Sequence, residues 1–282
     1  MMTDRTLPPN AFAAMGTVVS VRAGGSEVVA ARATAVAASV FERWDRRCSL
    51  YRPDSELTRV ARGELALVDA SVELRDAYAL AVEWRGRTGG AFTPHRADGV
   101  IDLNGVVKAL AIAEAGEAIA ATGVDEWGVD AGGDVLVSGA RADGSAWIIG
   151  IVDPRDHRTL LASMALGSGD GGDGDGGGGG DGARRAVATS GTAERGDHIW
   201  SPTDVGDASF VQVSVAAADI VTADVMATAI VAGGVAALDE ATGREQIDVL
   251  AVRRDGTMLA TPGWPRATTN PGSPEVCAQR LR

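Results

Sequence analysis

Hydrophobic positions along this chain change their period several times, and each change marks an element. Between residues 26 and 47 they recur at Val29, Ala33, Val36, Val40 and Trp44, the spacing of a helix with one buried face, and Gly24-Gly25 supplies the turn before it. The same period returns over residues 71–87 through Leu74, Ala77, Tyr78, Ala81 and Trp84, with Ser71 as cap and Thr88-Gly89-Gly90 as a glycine stop. Between these two, Pro53 interrupts regular structure, and Asp54 or Ser55 caps a short helix through Val60. An Ala-rich helix with Asp102 or Asn104 as cap runs to about Ala121, and Gly123 closes it. A further apolar helix starts at Asp219.

Strand patterns alternate with these helices. Residues 12–22 form a β-branched run entered through Met15-Gly16-Thr17, where Gly16 permits a bend, structural or close to a ligand. Residues 127–131 and 135–137 flank Gly132-Gly133-Asp134, a tight turn of the kind that needs φ > 0. Residues 146–152 read as a buried strand bounded by Asp153-Pro154, with residues 160–166 as its hairpin partner. Residues 185–191, 210–215, 247–252 and 258–260 complete the set. Residues 167–183 are a Gly/Asp-rich run that cannot bury enough apolar surface to offset its ordering entropy, so a disordered loop is expected there. A calcium-binding repeat would need a regular period and an apolar position, which the run lacks. From residue 262 to 282 a proline-bearing, irregular tail is expected.

The 282 residues can bury a sizeable core, and their net charge of −12 argues against a nucleic-acid partner, which would want a basic face. Cys48 and Cys277 sit in no metal spacing and suggest no disulfide framework. Arg46 and Arg47 could lower the Cys48 pKa, although a small buried residue is the preferred reading. Residues 1–10 are polar and carry neither a signal-length apolar run nor a lipidation cysteine, which gives the expectation of a cytoplasmic protein. No window approaches the ~20 apolar residues of a membrane span.

Candidate chemistry concentrates in Gly89-Gly90-Ala91-Phe92-Thr93-Pro94 and Ile101-Asp102-Leu103-Asn104-Gly105-Val106-Val107-Lys108. A helix start points unpaired N–H groups outward, Gly105 leaves room for a ligand, and Lys108 adds a mobile positive charge, so a phosphorylated ligand fits. The alternative is an ordinary capped helix. Asp224 and Thr228 stand four residues apart on one face of an apolar helix, a hard-cation site suited to magnesium shared with phosphates, unless Thr228 merely bonds its own helix. His198 beside Asp197 can serve as general base or as a structural imidazole. Tyr51 can stack on an aromatic ligand or pack in the core. His95 and His157 are unpatterned, and no Ser/His/Asp or Cys/His arrangement emerges.

Seven of these pieces stand in one order over residues 13 to about 260: Met15-Gly16-Thr17; Ser49-Leu50-Tyr51-Arg52-Pro53-Asp54-Ser55-Glu56-Leu57; Gly89-Gly90-Ala91-Phe92; residues 102–108; Ala131-Gly132-Gly133-Asp134; Ala188-Thr189-Ser190-Gly191 with His198-Ile199; and Ala223-Asp224 to Thr228. Together they resemble the ApbE-type FAD:protein FMN transferases, formerly described as thiamine-biosynthesis lipoproteins. The resemblance implies one α+β domain spanning residues 1–282, T-fold-related, with antiparallel sheets and packed helices in two lobes and an FAD cleft between them. It implies transfer of the FMN half of FAD to a threonine hydroxyl of an acceptor flavoprotein, with AMP leaving; FAD hydrolysis to FMN and AMP, or FAD binding without turnover, are the alternatives. By the same resemblance Met15 and Tyr51 line the flavin or adenine, Ala91, Phe92 and Thr93 contact FAD, Asp102 and Lys108 hold its polar groups, and Ile199 borders the pocket. Magnesium, or manganese in its place, falls to Asp224, Thr228 and the Gly105 carbonyl, and Asp224 or His198 takes the acceptor's proton. The chain departs from the family pattern at Thr93, Ala109-Leu110, Ala113, Ala227 and Ser201.

Overall fold

The computed structural model describes residues 7–156, 158–167, 183–191, 209–265 and 279–280. The first expected strand is a hairpin: β1 (Ala11–Ala14) and β2 (Thr17–Ala23) pair antiparallel around Met15 and Gly16. Both turn residues have positive φ, 49° and 74°, which matches the twist of a two-residue hairpin turn and divides the β-branched run.

Helix α1 (Glu27–Cys48) starts where the Ser26 side chain accepts from Val29 N, and α2 (Glu56–Ala61) is capped by Ser55, not Asp54. Helix α3 (Val72–Arg87) begins at Ser71, whose hydroxyl accepts from Leu74 N. Helix α4 (Asn104–Ala120) has Leu103 at its cap position and no side-chain cap there. Asp102 meets the need from one residue further back, its Oδ1 accepting the Asn104 N–H at 2.9 Å. Strands β3 (Trp127–Ala131) and β4 (Asp134–Val137) turn through Gly132 and Gly133, at φ 66° and 94°. Then come β5 (Trp147–Val152), β6 (Leu160–Leu166), β7 (Ala186–Gly191) and β8 (Phe210–Ala217). Helix α5 (Ile220–Arg244) is capped by Asp219, and β9 (Asp248–Arg253), β10 (Met258–Ala260) and β11 (Gln279–Arg280) follow. The Gly/Asp-rich residues 168–182 lie outside the described residues.

The strands form a nine-stranded sheet in the order β1-β2-β3-β4-β7-β8-β9-β10-β11, antiparallel except for the β10–β11 pair, and a separate β5–β6 hairpin. Helices α1, α4 and α5 cover one face and enclose the larger core, which includes Phe41, Leu57, Leu103, Ile112, Phe210 and Ile230. Helix α4 comes so close to β3 that a Cβ on Gly116 would lie 2.3 Å from the Trp127 ring. The hairpin covers the opposite face, packing Trp147, Ile151, Met164 and Leu166 with Val135, Val137, Val187 and Val252; Trp264 joins them. Residues 146–152 are therefore not buried throughout: Ile148 is 68 % exposed, because alternate positions of a strand point to opposite sides.

Helix α5 is long and apolar enough to cross a membrane, contrary to the expectation from the sequence. Its hydrophobicity has another use here. The helix packs on β7 and β8, buries Ile220, Val225, Met226, Ile230 and Leu238, and is broken at Gly234, where φ is 63°. Hydrophobicity on all sides is the signature of a core helix as well as of a span. Cys48 is buried at the end of α1, and loss of water, reinforced by Glu56, pushes its thiol up to about 12 despite the lowering influence of Arg47.

Candidate functional site

The loop after α3 is fixed at both ends. Thr88 donates to Trp84 O at 2.8 Å and accepts from Phe92 N at 3.1 Å, so the helix end and the Ala91-Phe92-Thr93 turn are one hydrogen-bonded unit. The Phe92 ring is buried and lies over Gly105, where a Cβ would approach it to 2.6 Å. Gly105 is thus required by Phe92, not by a ligand backbone as the sequence suggested. Thr93 Oγ1 accepts from His95 N at 3.2 Å, and His95 Nε2 lies 3.0 Å from the Tyr78 hydroxyl, which gives that histidine a structural place. Asp102 N donates to Pro94 O at 2.8 Å, returning the loop to the start of α4.

One turn into α4, Lys108 forms an ion pair with Asp134 Oδ2. The expectation of a mobile charge is corrected: the ammonium is held, and only 18 % of the side chain is exposed. Asp134 itself is fully buried, and its Oδ1 accepts from Thr189 N at 3.1 Å. A buried carboxylate needs such partners to remain charged. Its neighbour on the other side of the turn, Asp130, accepts from Gly133 N at 2.9 Å. Burial raises the pKa of Asp130, the nearby Asp134 charge adds to the rise, and the Gly133 N–H, Arg22 and Lys108 oppose it.

Strand β7 continues the polar line. Successive residues point to opposite faces, so Ser190 joins Ala186 and Ala188 on the helical side while Thr189 points away and meets Ser214 at 2.8 Å. Ser190 Oγ lies 3.0 Å from Thr228 Oγ1. Thr228 is thus tied to a strand. Asp224, one turn earlier on α5, is fully buried.

The fold therefore links four elements: Lys108 of α4 meets Asp134 of β4, Asp134 meets Thr189 of β7, and Ser190 of β7 meets Thr228 of α5, while α4 and α5 pack on each other. The β1–β2 turn adjoins them, since a Cβ on Gly132 would lie 2.5 Å from Thr17 Oγ1, and Met15 in that turn is half-buried against the core. Tyr51 stands apart on the loop after α1 with 86 % of its surface exposed, so core packing is not its role. His198 and Ile199 lie outside the described residues, as do His157 and Ser201. The sequence left Asp134 and Ser190 without a role. Their signals were present: a carboxylate directly after two positive-φ glycines, and a serine in phase with two buried alanines.

The donors proposed for a cation are a carboxylate, a hydroxyl and a main-chain carbonyl. All are hard oxygens, the set that suits magnesium when phosphates and water supply the rest. Among the described residues no cluster of three or more His, Cys, Asp or Glu forms a metal-only cage. A shallow cleft opens between the end of α3 and α5, lined by Thr88, Ala91, Met226 and Ala229 among others. It reaches Ala91 but neither Lys108 nor Asp224.

A sequence profile described as the ApbE family matches residues 15–100 and 95–251. The chain belongs to the ApbE family. That match takes in Met15, Tyr51, the 89–94 turn, Lys108, Asp134, Ser190, Asp224 and Thr228. Solved ApbE structures share the fold. The ApbE protein of Thermotoga maritima superposes with a TM-score of 0.70 at 21 % identity, over 88 % of this chain and 94 % of its own. The flavinyl transferase ApbE of Pseudomonas stutzeri, in its apo form, gives 0.68 at 20 %, over 90 % and 93 %. The flavin transferase ApbE of Vibrio cholerae gives 0.63 at 20 %, over 90 % and 96 %. No curated protein matches the chain in sequence. The α+β architecture of antiparallel strands and packed helices is thus the ApbE architecture.

Proposed function

We propose that this ApbE-family chain transfers the FMN moiety of FAD to a threonine hydroxyl of an acceptor flavoprotein and releases AMP, with magnesium as the metal. The observation that carries the reading is the joining of α4, β4, β7 and α5 by Lys108–Asp134–Thr189 and Ser190–Thr228 contacts, inside the region that matches the family.

Each part has a physical task. Phe92 over Gly105 fixes the turn that presents Ala91 and Thr93 to FAD. The amino end of α4 and the Lys108 ammonium supply positive potential for the diphosphate. Asp102, already oriented by the Asn104 N–H, holds a polar group of the dinucleotide. Met15 and the exposed Tyr51 contact its ring systems, and Ile199 would border the pocket by the family resemblance. Asp224, Thr228 and the Gly105 carbonyl would hold magnesium. Bound there, magnesium would neutralise the diphosphate and make AMP a better leaving group. The acceptor threonine oxygen forms a bond to the FMN phosphorus as the bond to the AMP oxygen breaks, and the hydroxyl proton passes to Asp224 or His198.

Ala227 is fully buried and offers no side-chain oxygen, which leaves Asp224 as the carboxylate proposed for the cation. The test is incubation with FAD and magnesium, with AMP measured in the presence and absence of a threonine-bearing acceptor. Transfer gives AMP together with protein-bound flavin. AMP without an acceptor indicates hydrolysis, and tight FAD without AMP indicates a binding protein; either contradicts the transferase reading.

A further inference from the structure

We propose that Asp134 is a positioning residue for this transfer, acting through Lys108. The inference rests on the transferase reading above. Asp134 is fully buried at the first position of β4, directly after the two positive-φ glycines of the β3–β4 turn. Its two oxygens reach different elements: Oδ2 pairs with the Lys108 ammonium from α4, and Oδ1 accepts the Thr189 N–H of β7. The carboxylate is thereby clamped by main chain on one side and fixes a side chain on the other. A lysine has four rotatable bonds and would otherwise sample many positions for its charge. With Asp134 in place the ammonium is directed to one point on the first turns of α4, beside the helix start that faces the diphosphate. An ammonium carries three N–H donors, so it can hold Asp134 and meet an anion at once. The β3–β4 turn also touches Thr17 in the Met15 turn, which couples the clamp to a second ligand-facing loop.

The structure also shows why aspartate suits the position. A glutamate would move the ammonium outward by a methylene or break the Thr189 bond. An asparagine keeps an acceptor for Thr189 N but loses the charge that orients Lys108.

The test is a double-mutant cycle on the full chain: wild type, Asp134→Asn, Lys108→Met and the double variant. Magnesium-dependent AMP release in the presence of a threonine-bearing acceptor and FAD affinity by flavin fluorescence are measured, with melting temperature as a check on folding. If Asp134 acts through Lys108, Asp134→Asn lowers kcat by about 10- to 100-fold, the cost of about an ångström of misplacement, with a smaller change in FAD affinity. The double variant is then no slower than Lys108→Met alone, because the losses share one cause. Losses that multiply overturn the inference, since a merely structural Asp134 would add its damage to that of any other variant. So does a wild-type rate in Asp134→Asn. Should Asp134→Asn fail to fold, the same cycle with Asp134→Glu, which keeps the charge, decides the question by the same criterion. A wild-type protein that releases no AMP overturns the transferase reading and this inference with it; multiplying losses in an active enzyme overturn the inference alone.

Discussion

The two faces of the nine-stranded sheet solve the same burial problem with different materials. On the hairpin side the cover is two strands, the buried polar side chains include the uncharged Gln212, which donates to Val152 O, and Ser214, which meets Thr189, and the indole nitrogens of Trp147 and Trp264 have no hydrogen-bond partner among the described residues. On the helical side a larger apolar core also contains Asp134, Ser190 and Asp224, all buried, on three different elements. Burying a carboxylate costs far more than burying an indole, and the cost is met only by partners brought from elsewhere in the chain. The helical face makes that investment twice, with Lys108 and Thr189 around Asp134, and with Thr228 beside Ser190. The difference shows where to look for function: in the layer that buries carboxylates, not in the layer whose buried polar groups are uncharged.

The sharpest way to break this contrast is to remove the buried carboxylate of α5. Asp224→Ala should lower magnesium-dependent AMP release on the order of a thousandfold or more, about 4 kcal/mol of transition-state stabilisation. Unchanged AMP release, measured chromatographically, would move the metal elsewhere. Next come paired cavities, one per face. Phe92→Ala and Met164→Ala should each cost about 2–5 kcal/mol in urea denaturation. Only Phe92→Ala should also weaken FAD binding, because it alone frees the turn over Gly105; equal effects on FAD would remove the distinction between the faces.

A pH titration sharpens the helical side further. The Cys48 thiol is pushed up to about 12, whereas in the unfolded chain it ionises near 9. Above pH 9 the unfolded form releases this proton and the folded form keeps it, so stability falls as pH rises, by about 1.4 kcal/mol per unit until the folded group ionises. Urea midpoints between pH 8 and 11 should show this slope in the wild type and a shallower one in Cys48→Ala. The smallest effect belongs to the outer side of the hairpin. Ile148→Ser and Leu160→Ser, at positions 68 % and 65 % exposed, should change stability by no more than about 0.5 kcal/mol and leave AMP release intact.

The periodicity of the chain made most elements legible. Ser71, Asp219 and, of the two residues offered, Ser55 begin their helices as N-cap chemistry predicts, and residues 160–166 form the hairpin partner at its expected bounds. The first strand was misread because β-branched residues on both sides of Met15-Gly16 conceal a turn set by two positive φ values. At the start of α4 the Asp102 alternative holds, its carboxylate accepting the Asn104 N–H, although from one residue outside the cap position. At the site, individual residues were legible but their long-range partners were not. Lys108 and Asp134 are separated by 26 positions and Ser190 and Thr228 by 38, and no local pattern announces which strand end a helix will meet. Gly105 shows the same limit: its spacing marks a close approach, and only the fold shows that Phe92 makes it.

The most direct measurement of the central claim is a stoichiometric one. The wild-type chain is incubated with FAD, magnesium and a threonine-bearing acceptor flavoprotein, and AMP and acceptor mass are followed together. The account predicts one AMP released for each FMN-sized mass gained by the acceptor, with both lost on chelation of magnesium and in Asp224→Ala. AMP release without a mass gain, or a mass gain that persists without magnesium or Asp224, would contradict it.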